Sequence, residues 1–267
     1  MSAAFGAIQR HPIVTFFVLT YVITWGFVPF GLFGAFGPLI AALIVAPLTR
    51  GRAGLKELGL RMIRWRVRWY WYVVAIGLPL AIHGLTVLLN LAAGVDIPRQ
   101  GFSSIAGWLL IFGVRLINPL DGPIGEEPGW RGFALPGLQA TRSPLISTAI
   151  LAVLVTIWHL PLFYLVYLEE GSLPFSTIVG GVVGPFAFTF MATWLFNHTG
   201  GSVLMTILLH ASEGSVQAEG WVYTGLFVIV AIGLVIFDWN SWRSPAPASA
   251  ITPQPDQPQE SSPEVTA

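Results

Sequence analysis

Long apolar runs separated by short polar stretches set the pattern of this chain. Eight runs stand out, over residues 12–33, 36–48, 69–93, 104–120, 144–168, 175–196, 202–216 and 221–237. Most approach the roughly 20 residues that an α-helix needs to cross a hydrocarbon core of about 30 Å. The second is short and bounded by Gly and Pro. The pattern predicts an all-α fold: a polytopic integral membrane helical bundle with about eight transmembrane helices. The first run is too long for the apolar part of a cleavable signal peptide, so it reads as the first span. On this reading residues 1–239 form the transmembrane domain. From Asn240 onward Pro, Ser, Gln and Ala take over, and 240–267 are expected to be a disordered, Pro-rich cytoplasmic tail.

Charge sharpens the picture. Only 10% of the 267 residues are charged, 54% are hydrophobic, and the mean hydropathy is +0.72. A soluble domain carries about 25% charged residues, so this chain needs a lipid bilayer as its partner. The formal net charge is zero, and no global field favours nucleic acid. The chain has no cysteine, which excludes disulfides, thiolate metal sites and a cysteine nucleophile. Arg50, Arg52, Lys56, Arg61, Arg64, Arg66 and Arg68 hold seven of the 13 basic residues. The positive-inside rule places this stretch, read as a loop, in the cytoplasm. Trp65, Trp69, Tyr70, Trp71 and Tyr72 then mark the membrane interface. Alternating spans from there put both termini, and the segment 121–142, on the cytoplasmic side of a cell inner (plasma) membrane.

Ionisable side chains among such spans cost about 2.5–3.5 kcal/mol each at a helix centre, so they are paired and often used. The candidates are His83, Arg115, Asp121, Glu126, Glu127, Arg131, His159, His210 and Glu213. The densest cluster is Gly125-Glu126-Glu127-Pro128-Gly129-Trp130-Arg131-Gly132. Proline is tolerated in a first helical turn, so Pro128 predicts a helix that starts near Glu127. Glu127 and Arg131 are one turn apart and can pair, which leaves Glu126 free. His159 sits beside Pro161 deep in the fifth run, about 20 Å from a helix start at residue 144. Either the first-motif helix dips into the bilayer to meet it, or the boundaries differ by a turn or two. His210 lies among apolar residues of the seventh run. Carboxylates at one helix start and a histidine in each of two other spans can converge on one water. A glutamate can take its proton, and histidines can hold it, ligate a metal or stabilise an oxyanion. No His-Glu-x-x-His zinc signature occurs. Arg115 can pair with an acid such as Asp121 or Glu213. His83 reads as packing, His198 as a solvated turn residue, and Glu169 and Glu170 as loop.

Glu126-Glu127 with Trp130-Arg131-Gly132, then Trp158-His159-Leu160-Pro161, then Gly200-Gly201-Ser202 leading to His210, resembles the CPBP family. This is the CAAX-protease and bacteriocin-processing group of intramembrane proteases, also called the abortive-infection family. The motifs fall within residues 104–216. The resemblance implies an eight-helix, glutamate-dependent intramembrane endopeptidase acting on a membrane-associated peptide or protein, such as a prenylated tail or a leader peptide. By that analogy the catalytic residues are Glu126, Glu127, Arg131, His159 and His210. Glu126 would activate water, Glu127 and Arg131 would support the site, and the histidines would position the water and stabilise the oxyanion. A divalent metal such as zinc stays open, with Glu126, His159 and His210 as its ligands if one is bound. Two positions depart from the pattern: Val155, where the family favours Phe, and Gly214, where it favours Asn or another polar residue and where Glu213 and Ser215 flank the gap about 100° away on the helix. The second motivates the alternative of a non-catalytic immunity or scaffold protein on the same fold; a transporter is the more distant alternative.

Overall fold

Proline's fixed φ suits the first turn of a helix, where its missing N–H removes no bond. Pro12, Pro38, Pro123, Pro144 and Pro161 all stand at such starts. The computed structural model describes residues 3–95, 104–216 and 220–244. Its first half holds α1 (Ala3–Arg10), α2 (Pro12–Trp25), α3 (Gly37–Met62), α4 (Tyr70–Ala92) and α5 (Ile105–Ile117). The middle holds α6 (Gly122–Gly129), a π-helical turn (Trp130–Ala134) and α7 (Leu135–Gln139). Then come α8 (Pro144–His159), α9 (Pro161–Glu170), α10 (Phe175–His198), α11 (Val203–Val216), α12 (Trp221–Phe237) and the short α13 (Trp239–Arg243). No strand occurs among the described residues.

The apolar runs do fold as a polytopic helical bundle. Five stretches among the described residues are long and apolar enough to cross a membrane, and a sixth is added if α5 and the bent α6–α7 segment count as one broken span. The helices α11 and α12, with 14 and 17 residues, fall short of that length. Rows of apolar side chains face outward at helical spacing, such as Val14, Val18 and Val22 on α2 and Ile229, Ile232 and Ile236 on α12. Such rows suit lipid, since the hydrophobic effect opposes them in water. Inside, one core gathers Phe16, Phe17, Trp130, Phe133 and Trp158, and a second gathers Met191, Leu195, Met205, Leu209 and Phe227.

Three expectations need correction. The second run does not stop at residue 48: α3 continues through the basic stretch to Met62, bending at Gly51 (φ 59°, ψ −150°). Arg50, Arg52, Lys56 and Arg61 are therefore helical, and Arg64, Arg66 and Arg68 lie in the link to α4. Glu57 makes this possible by pairing with Arg50 (2.6 Å) and Arg61 (2.5 Å). The buried Arg61 also donates to the Gly132 carbonyl at 2.7 Å. His198 is not a solvated turn residue either. It ends α10, lies 2.9 Å from Asp238, and packs against Trp71 and Trp194. The Pro-rich tail does not begin at residue 240, because Trp242 of α13 is buried and donates to the Leu234 carbonyl at 3.1 Å. The remainder of that tail, 245–267, and the polar link holding Asp96 and Arg99 lie outside the described residues.

Close backbone approach fixes α6 in depth. A β-carbon at Gly129 would lie 2.5 Å from the Pro38 carbonyl oxygen, and one at Gly125 would lie 2.7 Å from that of Ala35. The short helix is thus clamped against the start of α3 and buried along most of its length. Gly129→Ala is expected to lower stability by about 1–3 kcal/mol, the usual cost of overpacking. Thermal unfolding in detergent micelles measures it.

Candidate active site

The first-motif helix starts earlier than Pro128 suggests. Asp121 is its N-cap, accepting from the Gly122 amide at 2.7 Å, and Pro123 stands in the first turn. Glu126 and Glu127 therefore sit in the second turn, and Pro128 lies inside the helix. Past Gly129 the backbone widens into the π-helical turn, a form often found at functional sites. Arg131 lies within that turn.

Glu127 is fully buried, and one of its oxygens serves two partners. Oε1 accepts from Arg131 Nη1 at 2.9 Å and from His210 Nδ1 at 2.9 Å. Arg131 is itself 1% exposed, with its guanidinium over the Phe188 ring at 5.5 Å. Because Nδ1 of His210 donates to Glu127, Nε2 is the atom left to face the site. That atom lies 2.8 Å from the point where a β-carbon on Gly122 would sit. Glu126 Oε1 lies 2.9 Å from the same point. Glycine at 122 therefore leaves open the space into which both groups turn. The other oxygen of Glu126 accepts from Trp130 Nε1 at 3.2 Å, which sets the carboxylate's orientation.

His159 reaches the site from the end of α8. A carbonyl can only accept, so its Nδ1 donates to Val155 O at 2.8 Å, and Nε2 is again the presented atom. Pro161 cannot donate a backbone hydrogen bond, and the span breaks there between α8 and α9. Two nearby carbonyls are taken up from α2: Tyr21 donates to Leu154 O at 2.7 Å and Trp25 to Trp158 O at 3.0 Å. Val155 leaves no aromatic ring on its own helix at the position where one was expected. Phe33, from the link after α2, stacks on His159 at 6.1 Å and meets Trp158 edge-on at 4.6 Å.

Glu126, Arg131, His159 and His210 all line one cavity of about 360 Å³, with Glu213 and Tyr223 on the same wall. Phe163, Val166, Phe188 and Phe227 make it largely apolar, and Gly180, Gly181 and Gly184 lower one side. Glu127 stands behind this surface. His83 is on α4 and does not line the cavity; neither do Glu169 and Glu170, which are exposed on the last turn of α9. Among the described residues, no group of three His, Asp or Glu side chains has the spacing to hold a metal ion. Three contributors had no role in the sequence reading. Trp130 stands in the motif, one turn after Glu126, but was given no task. Phe33 and Tyr223 carry no local signal, because folding alone brings them to the histidines and the cavity.

Residues 106–214 match the family described as Type II CAAX prenyl endopeptidase Rce1-like. A curated relative, CAAX prenyl protease 2 of Methanococcus maripaludis, is 23% identical over 168 residues, covering 59% of this chain. The chain spans 62% of the length of that relative. The family match contains Glu126, Glu127, Arg131, His159 and His210, the residues around which the cavity is built. Apolar helices long enough to cross a bilayer, together with this match, agree with the resemblance to the CPBP proteases. The chain is an integral membrane protein whose residues 106–214 are similar to the Rce1-like CAAX prenyl endopeptidases.

Proposed function

We propose that this protein is an intramembrane endopeptidase that hydrolyses a peptide bond of a membrane-associated peptide or protein, using water activated by Glu126. The observation that carries this reading is that Glu126, His159 and His210 line one cavity, with Glu126 Oε1 and His210 Nε2 both turned toward Gly122. A water held in the cavity between these side chains would be shared by Glu126 and His210. Glu126 accepts its proton as the oxygen attacks the scissile carbonyl. His159, with Nδ1 committed to Val155, offers Nε2 as an acceptor that orients the water. His210, held by Glu127, donates from Nε2 in its protonated form to the oxyanion. The C–N bond then breaks, and Glu126 returns the proton to the leaving amine. Apolar walls exclude bulk water and strengthen each of these interactions.

The printed name of the archaeal relative, CAAX prenyl protease 2, supports a prenylated C-terminal tail as the substrate class. The seven basic residues between 50 and 68 support a cytoplasmic placement of that end of the bundle, in a plasma membrane.

Purified protein in detergent or proteoliposomes is expected to cleave a farnesylated CAAX peptide. Glu126→Gln should lower the rate by about 10²–10⁴-fold, the range for loss of a general base, with unchanged thermal unfolding. Equal cleavage by the variant would remove Glu126 from the mechanism. A non-catalytic role instead predicts no cleavage by the wild type, together with a cellular phenotype that survives Glu126→Gln. A strong zinc chelator is expected to leave the rate at its untreated value, because the chemistry is carried by the protein's own side chains. Loss of activity restored by added zinc would contradict this.

A further inference from the structure

Residue 214 stands four positions after His210 on α11, one helical turn along the same face. It is glycine, and the space beside it is not empty. A β-carbon there would run into the guanidinium of Arg115, meeting Nη2, Cζ and Nε. Arg115 arrives from α5, which packs against α11. Its Nη1 lies 3.2 Å from Asp121 Oδ2. The other oxygen of Asp121 caps α6 by accepting from the Gly122 amide at 2.7 Å. Gly122 is the residue toward which Glu126 and His210 both turn. Arg115 Nε is buried and has no partner among the described residues, so the fork still carries an unused donor.

We propose that Arg115 supplies from α5 the polar group that α11 lacks at position 214, and that residue 214 is glycine in order to admit it. The guanidinium is a positioning element. Packed one turn from His210 and paired with Asp121, it holds the first turn of α6 in register with α11. That register sets Glu126 against His210. A guanidinium suits the task because it is planar, always charged and has five donors, so one group can fill the gap and hold the carboxylate. This inference rests on the peptidase reading above.

The test compares cleavage of the farnesylated peptide by wild type, Glu126→Gln, Arg115→Gln, Arg115→Ala, Gly214→Ala and the double variant Arg115→Ala/Gly214→Asn. Arg115→Gln and Gly214→Ala are expected to lower kcat by about 10–100-fold, as for a reacting group displaced by about an ångström, with little change in KM. The double variant replaces the guanidinium by an amide on α11 and should recover about tenfold over Arg115→Ala. In thermal unfolding, Gly214→Ala should destabilise the wild type but not the Arg115→Ala protein, where no guanidinium stands in the way. If both single variants cleave at the wild-type rate while Glu126→Gln is inactive, the Arg115 assignment falls and the peptidase reading stands. A double variant no better than Arg115→Ala would also overturn it, leaving Arg115 a packing role. If the wild type cleaves no faster than Glu126→Gln, the peptidase reading fails, and this inference fails with it.

Discussion

A single buried carboxylate oxygen organises this molecule. Glu127 Oε1 accepts from Arg131 in the π-helical turn and from His210 on α11, so three segments meet at one atom. Burying a lone carboxylate would cost several kcal/mol, and removing one partner of such a pair typically costs about 3–5 kcal/mol. The interaction is therefore a constraint as much as a source of stability. Any packing of α6 and α11 that separates Glu127 from its donors leaves a charge stranded among apolar helices. The same contact selects the His210 tautomer and so decides which ring nitrogen turns toward Gly122.

Around that contact the fold is shaped by what is small as much as by what is polar. Gly125 and Gly129 let α6 lie directly on the backbone that opens α3. Gly122 clears the volume into which Glu126 and His210 turn, and Gly214 clears the volume taken by Arg115. A β-carbon at any of these positions would move a helix or a reacting group. Glycine costs about 1 kcal/mol in a helix interior, and here each one coincides with a close approach that a larger residue would block. Pro128 is accommodated in the same spirit: α6 is short, and the helix relaxes into a π turn immediately after it.

The two histidines show how distant helices fix side chains at the cavity without ordering them locally. Each commits Nδ1 to a partner, one to a backbone carbonyl and one to a carboxylate. Each is then left with Nε2 as the ring nitrogen outside that bond. His159 owes its position to a proline break braced by Tyr21 and Trp25 of α2, and its ring packing to Phe33. A motif reading sees the histidine and the proline, but not the aromatic side chains that arrive from more than a hundred residues away.

By itself the sequence determined the class of the molecule: apolar runs of crossing length with so little charge admit only a helical bundle in lipid. Ionisable residues stand out against an apolar background, which singled out His83, Arg115, Asp121, Glu126, Glu127, Arg131, His159, His210 and Glu213; the family resemblance narrowed these to Glu126, Glu127, Arg131, His159 and His210. The Glu127–Arg131 pair was legible because helical periodicity is local. Tertiary structure alone decided the rest. It extended α3 through the basic stretch, since Glu57 and the Gly132 carbonyl satisfy arginines that look solvated in one dimension. It started α6 at Asp121, because a cap and a first-turn proline there outweigh Pro128. It brought Arg115 to Gly214, a meeting of two helices about a hundred residues apart. Hydropathy and helical spacing act within a few turns and can be read along the chain, whereas close packing between distant helices depends on the whole bundle and has no local signature.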